Sequence, residues 1–182
     1  MMNFTSGKPE LIQAINQRWL FNFWQRSLPD RQVPHWSAVE SENLSRIASN
    51  LGFLQVTAES GRLRFRIFAH GTTMSEVYGV DDFRGKHLDE IATAGVWVNP
   101  LLPYMRAVAG GCPVYTVYDM TDRQGRTVHF ERLLLPFTCN GGTVDRILAS
   151  FEFICPDGGF ESRDLMKIQT VPPVLRLSAT IA

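Results

Sequence analysis

Residues 78–91 read YGVDDFRGKHLDEI, with GTTMSEV immediately before them at 71–77. The stretch holds two glycines, four acids and one histidine, a mixture that occurs in phosphate loops, metal clusters, acid/base pairs and plain scaffolding. A phosphate loop sets its glycines between a strand and a helix N-terminus, so that backbone N–H groups turn inward. Gly79 and Gly85 instead flank Asp81 and Asp82, which would repel phosphate. A metal site fares no better. His70, His87 and His129 are scattered with no HxxxH spacing, and Asp81 beside Asp82 lacks the alternation of a calcium loop. What remains is architecture. Thr73 with Glu76 has the form of a capping box and Gly79 is placed to end a short helix. A turn at Gly85 then leads into a brief helix around 88–92, with Asp82 or Asp89 as a cap.

Working outward, residues 62–69, RLRFRIFA, alternate strictly: Leu63, Phe65 and Ile67 on one face, Arg62, Arg64 and Arg66 on the other. With LGFLQVTA at 51–58 and a Ser60-Gly61 turn they form a hairpin, and the arginine row is expected to be solvated or paired with a helix. Downstream, NPLLPYMRAVAGG at 99–111 has the marks of a whole helix: Asn99 at the N-cap, Pro100 at the first helical position, and Gly110-Gly111 as the stop. Three strands follow at 113–120, 126–137 and 143–154, joined by glycine turns at 124–125 and 140–142. ILASFEFI, 147–154, is apolar on both parities, so both faces of that strand must be covered. Helices over 9–27 and from 37 or 38 to about 50 precede the first hairpin, separated by Pro29 and Pro34. The first carries Ile12, Ile15, Trp19, Leu20, Phe23 and Trp24, and the second Val39, Leu44 and Ile47. The aromatic face of the first is the natural cover for the sheet, its own or a second copy's.

Bulk properties exclude several classes. The 182 residues are 45% apolar, enough for one domain with a sizeable core. Charge balances at 18 basic against 18 acidic, with no basic run interleaved with aromatics, which argues against nucleic-acid binding. Cys112, Cys139 and Cys155 give neither a disulfide framework nor a CxxC pair, which suits a reducing cytoplasm. No apolar run reaches the roughly 18 residues that cross a bilayer, and the start lacks the pattern of a signal peptide. No G-x-S-x-G elbow is present, and Cys112 follows a helix C-terminus, where the dipole disfavours a thiolate.

This order of elements resembles the PAS sensory fold. PAS domains carry a YG…(D/E)…G(K/R)xL.(D/E)(I/L) passage between the second strand and the long helix, matched here by Tyr78-Gly79, Asp82, Gly85-Lys86, Leu88 and Glu90-Ile91. A narrower resemblance is to a PAS-like family abundant in alphaproteobacteria. Its tryptophan helix and LP.R…P signature appear as Trp24, Leu28-Pro29, Arg31 and Pro34, and its strand-end motif as Phe65-Arg66-Ile67 with Gly71-Thr72. Tyr104, Val108, Gly111, Pro113 and Val114 continue it, followed by ERLLLP at 131–136 and GTVDRIL at 142–148. The resemblance spans roughly residues 15 to 155.

The expected fold is therefore α+β: a five-stranded antiparallel PAS-like sheet, short helices on one face, and the N-terminal helix on the other. The chain divides into an N-terminal helix and proline-rich link at 1–36, the PAS-like domain at 37–155 and an unassigned tail at 156–182. The resemblance implies a stand-alone sensory or interaction module with a small-molecule pocket between sheet and helices, signalling to a partner protein in trans. Phe65, Ile67, Tyr78, Trp97, Tyr104 and Met105 are placed to line that pocket or simply to fill the core. Arg132, alone among apolar neighbours, would contact an anionic ligand or pair with Glu131, Glu152 or a backbone carbonyl. The cofactor stays unknown. Haem-binding PAS domains take a histidine from the long helix, and 98–109 has none; flavin-adduct sensors use a cysteine before that helix, and none precedes Cys112. A homodimer through Trp19, Phe23 and Trp24 is the expected assembly. An assembly module with a filled core, or a small enzyme of a cavity-type α+β fold, are the alternatives.

Overall fold

A computed structural model describes residues 2–29, 33–59, 61–92 and 100–182. Its centre is one seven-stranded sheet of order β1-β7-β4-β5-β6-β2-β3. The strands are β1 (Thr5–Gly7), β2 (Leu51–Glu59), β3 (Arg62–His70), β4 (Val114–Thr121), β5 (Thr127–Phe137), β6 (Arg146–Ile154) and β7 (Val174–Ile181). The expected strands, β2 to β6, pair antiparallel as their tight turns require. Two more extend the sheet beyond five. The unassigned tail supplies β7, antiparallel to β4, and β1 lies parallel to β7 at the edge. Leu175, Leu177, Ala179 and Ile181 alternate as a strand should, but Pro172-Pro173 just before them read as a break. Both the N-terminal and C-terminal segments thus join the same sheet as the central region.

One sheet face is covered by α1 (Ile15–Arg26) and α2 (Ser37–Ser41). The first helix is shorter than its apolar pattern, because Pro9–Leu11 form a separate single 3-10 turn. Its inward stripe is Gln17, Leu20, Phe21, Phe23 and Trp24. These pack with Tyr115, Leu133, Leu135, Phe137 and Leu148 of this chain's own sheet. Trp24 Nε1 also donates to the Pro136 carbonyl at 2.7 Å. Ile15 and Trp19, read from sequence as part of the buried stripe, are instead 83% and 38% exposed. The continuous second helix is replaced by α2 and a 3-10 turn at Ala48–Asn50. The Asn43 carboxamide accepts from both the N–H and the hydroxyl of Ser45, a local turn that competes with the helix.

The other face carries α3 (Thr72–Tyr78), α4 (Leu88–Ala92) and α5 (Leu102–Gly110). Gly79 ends α3 in the left-handed region at φ 57°. The capping box expected at Thr73 is not formed: Gly71 is the N-cap, and the Thr73 hydroxyl donates to Asn50 Oδ1 at 2.6 Å. Gly71 sits hard against the backbone carbonyls of Ala48 and Ser49, an approach no side chain would permit. Pro100 precedes α5 rather than opening it, Pro103 lies in its first turn, and the Asn99 cap falls outside the described residues. Segment 162–168 is fastened to α3, with the N–H groups of Asp164 and Met166 donating to the carbonyls of Glu76 and Val77.

Candidate functional site

Alternation along β5 sets the chemistry of both sheet faces. Phe130, Arg132 and Leu134 point toward α3–α5, and Glu131, Leu133 and Leu135 toward α1. Between the sheet and the three short helices lies a hollow of about 40 Å³. That is room for about three water molecules. Tyr78 of α3, Leu88 and Ile91 of α4, and Leu101 and Tyr104 beside and on α5 form its roof. Phe130, Arg132, Phe151 and Phe153 form the floor, with Met74 and Met166 at the side. Phe130 and Phe153 stack at 4.8 Å.

Arg132 is the only basic side chain in this wall among the described residues and is 5% exposed. Its guanidinium lies 5.0 Å from the Tyr104 ring and 5.6 Å from the Tyr118 ring, a cation–π arrangement. Its hydrogen bonds to Thr116 Oγ1 and the Tyr118 hydroxyl are long, 3.3 and 3.4 Å. Among the described residues no carboxylate pairs with it. The pairing weighed from sequence fails on parity, because Glu131 faces the opposite side of the sheet and Glu152 instead accepts from Asn16 and Asn50. Burial works against the guanidinium's charge, yet the surrounding phenols Tyr104, Tyr118 and Tyr78 hold its pKa above the ordinary value. Burial also pushes the Tyr78 and Tyr104 phenols up, so both are neutral donors at physiological pH.

Behind the sheet the mirror situation holds. Glu131 is 5% exposed and accepts from the Tyr115 hydroxyl at 2.7 Å and the Ala14 N–H at 3.3 Å. A carboxylate at the start of α1 is well placed in the field of the helix. Gln17 Nε2 donates to the carbonyls of Glu131 and Ser150. This polar clasp fastens α1 to β5.

Of the residues singled out from sequence, Tyr78, Tyr104 and Arg132 meet in the hollow. Phe65 is buried beneath it with its ring 5.4 Å from Tyr104, and Ile67 belongs to the same core without lining the space. Met105 is corrected: it lies 45% exposed on the outer side of α5. Trp97 falls outside the described residues. Phe130 was recoverable from parity once Arg132 was chosen, whereas Met166 comes from a tail that carried no periodic signal. The acids of the opening stretch are braces. Asp89 and Glu90 hold Arg64 of β3 together with Glu59, and Asp82 receives the Arg84 guanidinium, which keeps its carboxyl well below the usual range.

A mainly antiparallel sheet with a small hollow under short helices, and a second layer sealed by an N-terminal helix, defines a cavity-type module in which no catalytic constellation is evident among the described residues. The family model described as a PAS domain matches residues 12–152, and the chain belongs to that family. PAS domains are in general sensory or interaction modules of signalling rather than enzymes. No curated protein matches the chain significantly. No described helix is long and apolar enough to cross a membrane.

Proposed function

We propose that this PAS domain is a cytoplasmic sensory module that takes a small molecule into the hollow between its sheet and α3–α5 and signals to a partner protein in trans. The observation that carries this reading is Arg132, a buried cation facing the hollow with no carboxylate partner among the described residues. A buried cation held, among the described residues, only by aromatic rings and hydroxyls still lacks the anion that would balance it, and a ligand that bridges it to the roof favours one arrangement of the helices. The route outward is short. A shift of α3 is passed through its backbone hydrogen bonds to segment 162–168. Three free cysteines support a reducing compartment, and the sequence motifs support the alphaproteobacterial branch of the family. No reaction is assigned.

Native mass spectrometry of the intact chain, purified without denaturation, tests the reading. The expected result is a small-molecule adduct that disappears on unfolding and is lost when Met74→Phe narrows the hollow. Bare chain in every preparation rejects it. Ile15 and Trp19 favour a second reading, association with another copy of the chain, because both remain exposed on a helix whose other apolar residues are buried in its own sheet. Phe23 and Trp24 are already occupied within the protomer. A dimer by sedimentation that Ile15→Glu with Trp19→Ser converts to monomer supports this second reading, and a wild-type monomer removes it.

A further inference from the structure

We infer that the hollow is built for a compact monocarboxylate with a short apolar body, its carboxylate on Arg132 and between the phenols of Tyr78 and Tyr104. This rests on the proposal that the hollow is a ligand site and names the class of ligand it takes.

Charge comes first. Arg132 is the single cation in the wall among the described residues. One negative charge neutralises it, whereas a dianion such as phosphate leaves an unpaired negative charge in an aromatic surround, where charge is poorly solvated. Shape comes second. A guanidinium offers a planar fork of N–H donors that matches the two oxygens of a carboxylate. Its hydrogen bonds to the Thr116 and Tyr118 hydroxyls, at 3.3 and 3.4 Å, are longer than good charge-assisted bonds. Size comes third. Space for about three waters accommodates roughly three to six non-hydrogen atoms, the range of the shortest fatty acids and their keto relatives. Among the described residues the remaining lining, which includes Met74, Ile91, Phe130, Phe151 and Phe153, offers no polar side chain to a second functional group.

The geometry also assigns the ligand a mechanical role. Arg132 stands on β5, Tyr78 on α3 and Tyr104 on α5. A carboxylate that accepts from all three ties the sheet to two separate roof helices. Arg132 already meets Tyr104 of α5 across that gap in a cation–π contact, and the ligand adds charge-assisted hydrogen bonds that reach α3 as well. Occupancy is thereby converted into roof position without any change in the sheet.

The test uses the full chain dialysed into a carboxylate-free buffer, with propionate as the probe, propionamide as its neutral isostere, and chloride at matched ionic strength. Calorimetric titration and the unfolding temperature are read together. The expected result is saturable one-to-one binding of propionate, no response to propionamide, and binding weakened about tenfold or more in Arg132→Met. Tyr78→Phe, which keeps the ring and the fold, weakens it several-fold. Equal binding of propionamide overturns the carboxylate inference while leaving the hollow as a ligand site. Equal response to chloride reduces the site to an adventitious ion only. If neither solute binds and native mass spectra of the chain show no adduct, the inference and the reading beneath it fall together. Unchanged propionate binding in Arg132→Met overturns the assignment to this residue.

Discussion

Replacing Arg132 with methionine should make the ligand-free protein more stable. The side chain is 5% exposed, so the guanidinium has lost nearly all its hydration, at a cost of several kcal/mol even after relaxation. Against this stand three aromatic contacts at 5.0, 5.6 and 5.9 Å, together worth about 1.5–3 kcal/mol. Two long hydrogen bonds to neutral hydroxyls add less than about 1 kcal/mol each. Methionine keeps the unbranched stem, fills much the same volume and gains sulfur–aromatic contacts of about 0.3–1.5 kcal/mol with the same rings. The net expectation is a gain of about 1–2 kcal/mol, a rise in Tm of about 2–8 °C for a chain of this length. Urea unfolding followed by tryptophan fluorescence, in buffer free of small carboxylates, measures it directly. A structural staple would give the opposite sign. A loss of about 2 kcal/mol or more would show that Arg132 exists to hold α5 on the sheet, and would refute the argument that its charge awaits a ligand.

Further outcomes follow from the same geometry. Tyr115→Phe removes the hydroxyl that donates to Glu131 at 2.7 Å inside the clasp, and should cost about 1.5–3 kcal/mol in urea unfolding. It should also increase proteolytic cleavage before residue 27 if the clasp anchors α1. Gly71→Ala drives a methyl into the Ala48 and Ser49 carbonyls and should destabilise by at least about 2 kcal/mol, although the backbone angles suit alanine. In an alkaline titration followed by tyrosinate absorbance, Tyr78, Tyr104 and Tyr115 should stay silent through the ordinary tyrosine range, because burial raises all three. A raised folded pKa favours the neutral phenol. That stabilisation is whole below about pH 10, the unfolded value, and is lost as pH rises above it, so the three should appear together with unfolding.

Much of this was legible in the sequence where one interaction dominates. The period-two pattern of 62–69 and the glycine turns gave the hairpins, since strand parity and turn geometry are local. Gly79 as a helix stop was legible for the same reason. Tertiary competition erased other signals. The Thr73 capping box lost its hydroxyl to Asn50, and Ile15 and Trp19 share the period of a buried stripe that turns out to be centred on Gln17, Phe21 and Trp24. Gln17 could not be foreseen as an inward residue, because the carbonyls that its amide nitrogen donates to there, those of Glu131 and Ser150, lie far away in sequence. In the hollow, the helix pattern found Tyr104 but misplaced Met105, one residue and about 100° further round α5.

The adjacent opposite charges of β5 carry a consequence for folding fidelity. Were β5 to slip by one residue against its neighbours, the whole strand would invert, and with it Glu131 and Arg132. An anion would then face a ring of aromatics, and a cation would meet the positive end of α1. Leucines 133–135 are apolar on both parities and would scarcely notice the exchange. The two ions thus act as a proofreading key, rejecting a misaligned assembly that hydrophobicity alone would accept.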